Sequence, residues 1–185
     1  MDPNDWSDFP MVPVDHPLDQ FLGGKLAGQG SAFEAAGQTY NVDPTLLAAV
    51  SSFETGHGTS HAATAYNNVT GSMNPANPKQ FLRYDSIPDS INDAARNLSQ
   101  NYLQQGLTTI PAIGARYSPV GASNDQNKTN AQWPSQVAQI YKQLGGTRTD
   151  FSPTPQPAPA QGVADGIPIM SGGWDTFPIA TQASN

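Results

Sequence analysis

Cysteine is absent from this chain of 185 residues, and charged residues make up only 12% of it. The lack of cysteine excludes disulfides, cysteine–zinc sites and a cysteine nucleophile. The sequence has no apolar run that approaches the length of a membrane span, and its acidic start lacks the basic and apolar regions of a secretory signal. We therefore expect no membrane span. If the protein acts outside the cytoplasm, we expect another carrier to deliver it there.

The net charge of -7 is confined to the two ends of the chain. Residues 25–146 hold seven acidic and seven basic side chains, whereas residues 1–24 hold five aspartates and no base. A nucleic-acid-binding protein needs a basic patch, and the sequence contains none. We expect no nucleic-acid partner.

The spacing of apolar residues predicts a mainly α domain over residues 25–147, with a small β-hairpin lobe. Asp43-Pro44 is typical of a helix start, and Ser31 is the predicted cap of an earlier helix. A longer helix is predicted from about residue 88 to residue 105. Two short extended pieces around the segment ANP predict the hairpin.

The rest of the chain is predicted to be extended. Residues 148–168 form a Pro-rich linker, because proline alternating with small residues in SPTPQPAPA favours an extended spacer. Residues 1–24 and 169–185 form two tails that share the motif Trp-x-x-Phe-Pro followed by an apolar residue. The aromatic anchors are Trp6 and Phe9 in one tail and Trp174 and Phe177 in the other. Such anchors are typical of segments that dock into pockets of a folded partner, and two copies predict equivalent pockets in a symmetric assembly.

Glu54 is one of only two glutamates, and it follows the apolar segment TLLAAVSSF just before Gly56 and Gly58. A general acid that cleaves a glycosidic bond must keep its proton near neutral pH, so its pKa must be raised. The negative end of the helix dipole and an apolar flank both raise the pKa of a carboxyl group. The two glycines leave backbone bare for a bulky substrate. We therefore predict that Glu54 is a catalytic acid, with a solvent-exposed helix-end glutamate as the alternative.

Three segments, in order, resemble the peptidoglycan N-acetylglucosaminidases of bacteria and phages, of the flagellar-muramidase and autolysin type. SSFETGHGTSHAATAYNNVTGS resembles the family's Glu-x-Gly-x-Gly-x-Ser signature and the Asn-Asn-x-x-Gly segment that follows it. FLRYDSIPDSINDAARNLSQNY resembles Phe-x-x-Tyr-x-Ser-x-x-Glu-Ser-x-x-Asp, and the stretch from IGARYSP onward resembles the closing segment. The resemblance covers residues 30–145. It implies a lysozyme-like fold with bacterial peptidoglycan bound in a groove between helices and lobe.

The resemblance also implies which residues bind the glycan. The predicted substrate-binding residues are Tyr66, Asn67, Asn68, Gly71 and Tyr117. Tyr66, Tyr84 and Tyr117 can stack on sugar rings, and the alternative for each is an ordinary place in the core.

The second carboxylate used by many glycosidases is harder to assign, because the short lobe of this chain has no acidic residue where the family has a second glutamate. Asp85 and Asp89 are the candidates, and capping of a helix N-terminus is the preferred interpretation of both. A single-acid mechanism is then open. In it the substrate's N-acetyl group closes on the anomeric carbon, or an internal hydroxyl does so in lytic transglycosylation.

Glu54, His57 and His61 also suggest metal ligands, but the intervening glycines break the helix that would align the two imidazoles. We expect neither a metal nor another cofactor.

The predicted function is cleavage of peptidoglycan glycan strands by a phage lysin carried in the virion, in the tail or internal core, and acting in the host cell wall. The two tails are expected to bind other virion proteins. One alternative is a structural tail or virion protein with a catalytically inactive lysozyme-like domain, which the compressed lobe favours. Another is a free lytic transglycosylase or endolysin, which has no use for paired docking tails.

Overall fold

The computed structural model describes residues 16–122 and 130–154 of the chain. Its regular elements are α1 Gly30–Tyr40, α2 Pro44–Glu54, α3 His61–Tyr66, β1 Met73–Asn74, β2 Asn77–Phe81, α4 Ile87–Asn101, α5 Ile110–Tyr117 and α6 Trp133–Gln143. Short 3₁₀ turns lie at Pro17–Gln20, Gly24–Leu26, Leu103–Gln105 and Asn130–Gln132. The predicted architecture, a helical domain with a small hairpin lobe, is confirmed.

A side-chain cap followed by proline sets where three of the helices begin. The Asp43 carboxylate accepts a hydrogen bond of 2.9 Å from the backbone N–H of Leu46, and Pro44 occupies the first turn of α2. Ser86 caps α4 and Thr109 caps α5 in the same way, each with a proline in the first turn. A polar cap satisfies an exposed N–H group and proline presets the backbone, so these starts are local properties of the sequence.

The core lies where α2 packs against α1, α4 and α6. Residues 46–50 of α2 are all buried, which makes it the central helix. Phe33 from α1, Ile91 from α4 and Trp133 from α6 are each 2% exposed or less. Burial of such large apolar side chains is the main force that holds the helices together.

Within the described ranges, no helix is both long enough and apolar enough to cross a membrane.

Two predicted helix boundaries are wrong. α1 begins at Gly30, so Ser31 lies inside the helix and does not cap it. α4 ends at Asn101 instead of continuing to residue 105, because Tyr102 leaves the helical conformation and a 3₁₀ turn follows. The turn stops at Gly106, whose φ of 81° is left-handed and suits glycine.

The lobe is a two-stranded antiparallel hairpin in which Met73 pairs with Phe81 and Asn74 pairs with Asn77. Its strands are shorter than the two predicted extended pieces. The segment before it forms helix α3, which we do not predict from the sequence. Ser60 begins that helix by accepting a hydrogen bond of 3.3 Å from the N–H of Ala63.

The packed domain extends beyond the predicted limits of residues 25 and 147. Leu18 and Leu22 are buried in the core, although residues 1–24 are predicted to form a docking tail. Phe151, in the predicted linker, is 2% exposed and meets the ring of Tyr141 edge-on at 5.3 Å. These apolar side chains cover core surface that the helices alone leave open. Trp6, Phe9, Trp174 and Phe177 lie outside the described residues.

Candidate active site

α2 ends at Glu54 in a turn with an unusual backbone. Gly56, His57 and Gly58 have positive φ angles of 54°, 57° and 79°. Buried Thr55 holds this turn, because its hydroxyl donates to a carbonyl of α2 at 2.6 Å and accepts from the N–H of Gly58 at 2.8 Å. The turn stops the helix at Glu54.

Gly58 packs against the backbone of residues 23–26. The N–H of Lys25 donates to the carbonyl of Gly58 at 3.0 Å. A Cβ at position 58 would lie 2.6 Å from the carbonyl oxygen of Gly23, which is too close for any side chain. The prediction that both glycines offer bare backbone to substrate is therefore wrong for Gly58, which is buried. It remains a prediction for Gly56, which is partly exposed.

Glu54 is partly exposed as a whole residue, but its carboxyl group is buried among protein atoms. Trp133, the first residue of α6, donates its indole N–H to Oε1 of Glu54 at 2.9 Å. Burial raises the pKa of Glu54 to about 7, while the hydrogen bond from Trp133 acts in the opposite direction by stabilising the carboxylate. A carboxyl group with this pKa holds a proton near neutral pH, as a general acid requires.

Aromatic rings form one wall beside this carboxyl group. Tyr117 stacks on Trp133, with ring centroids 5.1 Å apart and an interplanar angle of 28°. Phe53 meets Trp133 edge-on at 6.3 Å, and Tyr102 contacts Tyr117 at 5.7 Å. Burial, followed by the negative charge of Glu54, raises the pKa of Tyr117 well above its usual value. Tyr117 therefore lies close to Glu54, and its predicted binding of substrate stays a prediction.

A polar cluster of Tyr84, Asp93 and Arg96 adjoins this wall. The Tyr84 hydroxyl donates to Oδ2 of Asp93 at 2.7 Å, and Arg96 forms an ion pair with the same carboxylate. Burial and the charge of Asp93 raise the pKa of Tyr84, and Tyr84 in turn contributes to the raised pKa of Tyr117. From the sequence, Tyr84 is a candidate for stacking on sugar, whereas Asp93 and Arg96 are not predicted to belong to the site. The available signal was that Tyr84 and Asp93 both belong to the second resembling segment.

Asp89 forms a reciprocal cap with Ser86 at the start of α4. The Ser86 hydroxyl donates to Oδ2 of Asp89 at 2.6 Å, and the N–H of Asp89 donates back to that hydroxyl oxygen at 3.2 Å. This agrees with the capping interpretation of Asp89. Asp85 precedes the cap and is exposed, so the same interpretation is wrong for Asp85.

Asn68 is completely buried, and both ends of its side-chain amide are bonded. Nδ2 donates to the carbonyls of Ser72 and Leu82 at 2.9 and 2.8 Å. Oδ1 accepts from the N–H groups of Thr70 and Ser72 at 3.2 and 3.1 Å. Asn68 therefore holds the two sides of the hairpin lobe together, and this structural role corrects its prediction as a substrate-binding residue.

Asn67 and Gly71 lie on either side of this anchor. Asn67 ends α3 with a φ of 51°, and its Nδ2 donates to the carbonyls of Tyr84 and Asp85 at 3.1 and 3.2 Å. Gly71 has a φ of 68°, and no atom lies within 4 Å of the position that a Cβ would take. Its backbone is therefore open to a ligand. A binding role for both residues stays a prediction.

Tyr66 belongs to an aromatic cluster at the base of the lobe. The Arg83 guanidinium lies 4.6 Å from the centre of its ring, and the rings of His61 and Phe81 lie 5.5 and 5.7 Å away. Tyr66 is partly exposed, so its predicted stacking on sugar remains a prediction.

In the part of the chain that the structure describes, no group of three or more histidine or acidic side chains could hold a metal ion.

A carboxyl group with a raised pKa, placed at a helix end against aromatic rings, is the kind of site that a glycosidase uses. A family model described as "Glucosaminidase: Mannosyl-glycoprotein endo-beta-N-acetylglucosaminidase" matches residues 30–146. The match covers more than half of the chain, so the chain belongs to the glucosaminidase family. The predicted resemblance and the predicted enzyme class are confirmed.

Similar proteins include the bifunctional autolysins of Staphylococcus aureus strains Mu50 / ATCC 700699 and N315. Each is 28% identical over 150 residues, which cover 68% of this chain and 12% of the autolysin. The chain therefore matches only a small part of these relatives' length. The crystal structure of the catalytic domain of the autolysin Auto from Listeria monocytogenes is also similar, at 15% identity and a TM-score of 0.49, covering 75% of this chain and 89% of that one.

Proposed function

We propose that this chain cleaves the glycan strands of bacterial peptidoglycan and that Glu54 is its general acid. The observation that carries the proposal is the carboxyl group at the end of α2, whose pKa burial raises to about 7. Membership of the glucosaminidase family and similarity to autolysins support the substrate class. In the reaction Glu54 gives its proton to the glycosidic oxygen, which leaves as a neutral hydroxyl group.

We assign to no aspartate, Asp85 included, the role of a second catalytic group. Asp89 is engaged by Ser86, and Asp93 is held by Tyr84 and Arg96. The substrate itself then supplies the group that closes on the anomeric carbon. Attack by the N-acetyl oxygen followed by water gives hydrolysis, whereas attack by an internal hydroxyl gives an anhydro sugar. Mass spectrometry of the released fragments distinguishes these products and also reports which bond is cut.

The glycan is proposed to lie between the aromatic wall and the lobe. Tyr117 borders the carboxyl group, and the open backbone of Gly71 and the partly exposed ring of Tyr66 belong to the lobe side. Aromatic faces and bare backbone are suited to sugars, which present apolar faces and hydroxyl groups. Asn67 supports this surface by tying α3 to the segment before α4.

The experiment that tests the proposal compares two glutamine variants. Glu54→Gln keeps the shape of the side chain and its acceptor for Trp133 but cannot donate an acidic proton. We expect it to lose at least ~10²-fold in the rate of cell-wall clearing. Glu34→Gln, which changes the other glutamate of the chain, is the matched control and should keep wild-type activity. Clearing by folded Glu54→Gln at the wild-type rate would remove Glu54 from the mechanism.

We infer further that the enzyme is carried in a phage particle, with its two tails bound to other virion proteins. The support is the motif shared by the tails, with Trp6 and Phe9 in one and Trp174 and Phe177 in the other. Two copies of one aromatic pattern on a single enzyme suit attachment to an assembly with repeated pockets. A particle that carries the enzyme delivers it to the wall from outside.

A further inference from the structure

The residue that holds the Glu54 carboxyl group comes from the opposite end of the domain sequence. Trp133 is 2% exposed, and its only polar atom, the indole Nε1, donates to Oε1 of Glu54 at 2.9 Å. Indole N–H is a donor and never an acceptor. In a neutral carboxyl group the carbonyl-like oxygen is the better acceptor, so this hydrogen bond favours Oε2 as the oxygen that carries the proton.

The ring of Trp133 is itself fixed from three sides. Tyr117 stacks on one face, Phe53 meets it edge-on, and α5 presses on it at Gly114. A Cβ at position 114 would lie 2.8 Å from Cε3 of Trp133, so only glycine lets α5 approach this closely. A donor fixed so firmly restricts the rotation of the carboxyl group that it bonds.

We propose that Trp133 is the positioning residue of the catalytic carboxyl group, and that it holds Oε1 so that Oε2 faces the glycosidic oxygen. The inference rests on the proposed function, because it takes Glu54 as the acid. Trp133 does not reach the substrate in this role and acts only through Glu54. A proton donor held in one orientation avoids the loss of rate that even a small misplacement causes.

The same contact sets the acid strength of Glu54, because a hydrogen bond to the charged form opposes the effect of burial. Tyr117 on α5 is the titratable neighbour that faces Glu54, and burial together with the charge of Glu54 keeps Tyr117 neutral. Removal of the indole N–H should therefore raise the pKa of Glu54. Glu54 would then keep its proton to higher pH, but its carboxyl group would be less well oriented toward the substrate.

The composition of the chain permits a direct measurement on the unaltered protein. Glu34 and Glu54 are its only glutamates, and Trp6, Trp133 and Trp174 are its only tryptophans. Glutamate labelled with ¹³C at the carboxyl carbon gives two resonances, and ¹⁵N-labelled indole gives three. We expect the Trp133 indole resonance to shift with the same midpoint pH as the Glu54 carboxyl resonance, and Glu54→Gln to abolish that shift.

Trp133→Phe provides the second arm, because phenylalanine can keep the stack on Tyr117 but has no N–H. We expect the Glu54 midpoint to rise by about one pH unit, the alkaline limb of kcat/KM to move with it, and kcat to fall by about 10–100-fold with little change in KM. Trp6→Phe and Trp174→Phe are the matched controls and should match the wild type.

The inference is overturned if the Trp133 indole resonance does not follow Glu54, or if folded Trp133→Phe keeps the wild-type midpoint and kcat. If Trp133→Phe does not fold, the titration of the unaltered protein decides alone. Failure of the proposed function has a different signature, since it requires Glu54→Gln to remain active. If Glu54→Gln is inactive and the Trp133 indole resonance does not shift with pH, only the positioning role of Trp133 is contradicted.

Discussion

Glu54 shows how one carboxyl group acquires a pKa near neutrality. It sits in the last turn of α2, where the helix dipole disfavours a negative charge, and the surrounding protein removes water from it. Desolvation is the larger influence on its pKa, and the hydrogen bond from Trp133 limits the effect. A less buried carboxyl group would ionise at too low a pH to act as an acid near neutrality. A carboxyl group without the hydrogen bond from Trp133 would have a higher pKa and give up its proton less readily.

The raised pKa of Glu54 has a consequence for stability. Its pKa is about 7 in the folded protein against an ordinary 4.5, so the folded state binds the proton more tightly than the unfolded state. The stability that the neutral carboxyl contributes is complete below pH 4.5 and is lost as pH rises through 7. Glutamine cannot ionise and avoids this loss. We expect Glu54→Gln to equal the wild type near pH 4 and to exceed it by about 1–3 kcal/mol near pH 8.

Urea denaturation at both pH values measures this difference, and Glu34→Gln controls for the removal of one negative charge from the protein. A gap between Glu54→Gln and wild type that is the same size at both pH values would contradict the raised pKa.

The acid could be predicted from the sequence, whereas its partner could not. Glu54 lies within one local pattern, an apolar helix that ends before glycines, so a short window contains the whole signal. Trp133 is 79 residues away, and its apolar spacing on α6 marks it equally well as a core residue. Asn68 was misread for a related reason, since an asparagine that binds backbone inside a lobe and one that binds sugar look the same in a sequence.

At the scale of elements, the accuracy of the predictions follows the strength of the local caps. α2 was correctly located because an aspartate and a proline define its start. α3 was missed because its six residues, HAATAY, follow a glycine-rich turn and are too short to show a helical repeat. The hairpin was predicted, but its strands are short and exposed, with β2 largely outside the core. Such a lobe cannot be held by apolar burial alone.

Asn68 is the residue that stabilises this lobe, and its removal is expected to be costly. Asn68→Ala would remove the hydrogen bonds of Asn68 to the N–H groups of Thr70 and Ser72 and to the carbonyl of Leu82, whereas the carbonyl of Ser72 would keep the N–H of Leu82. We expect the free energy of unfolding to fall by about 2–4 kcal/mol, with most helical content retained at low temperature and wall-clearing activity lost as the lobe loosens.

Thermal denaturation followed by circular dichroism measures the first effect, and Asn92→Ala, at an exposed position on α4, is the control. An Asn68→Ala protein with unchanged stability would show that the lobe is held by other contacts.

At the scale of the whole molecule, the chain divides by charge. The segment that carries the site is balanced, and the excess negative charge lies in the flanking residues. Parts of both flanks are folded, since Leu18 and Phe151 are buried in the core. The Trp-x-x-Phe-Pro motifs lie outside the described residues, and the prolines between residues 152 and 160 predict a spacer that extends at about 3.1 Å per residue.

If the tails only dock the enzyme, a variant that lacks the tail anchors should lose binding to particles and keep its activity on cell walls. Trp6→Ala combined with Trp174→Ala removes the largest anchor of each tail and leaves Trp133, and with it the site, untouched. Aromatic anchors carry most of the binding energy of linear segments, so we expect the double variant to be absent from assembled particles while it clears isolated cell walls at the wild-type rate. The variant with phenylalanine at both positions keeps an aromatic ring in each tail and should be incorporated at least in part.

Quantitative mass spectrometry of purified particles measures the copy number of each variant. A wild-type copy number for the alanine variant would contradict docking through these tails. It would leave the assignment of Glu54 unchanged.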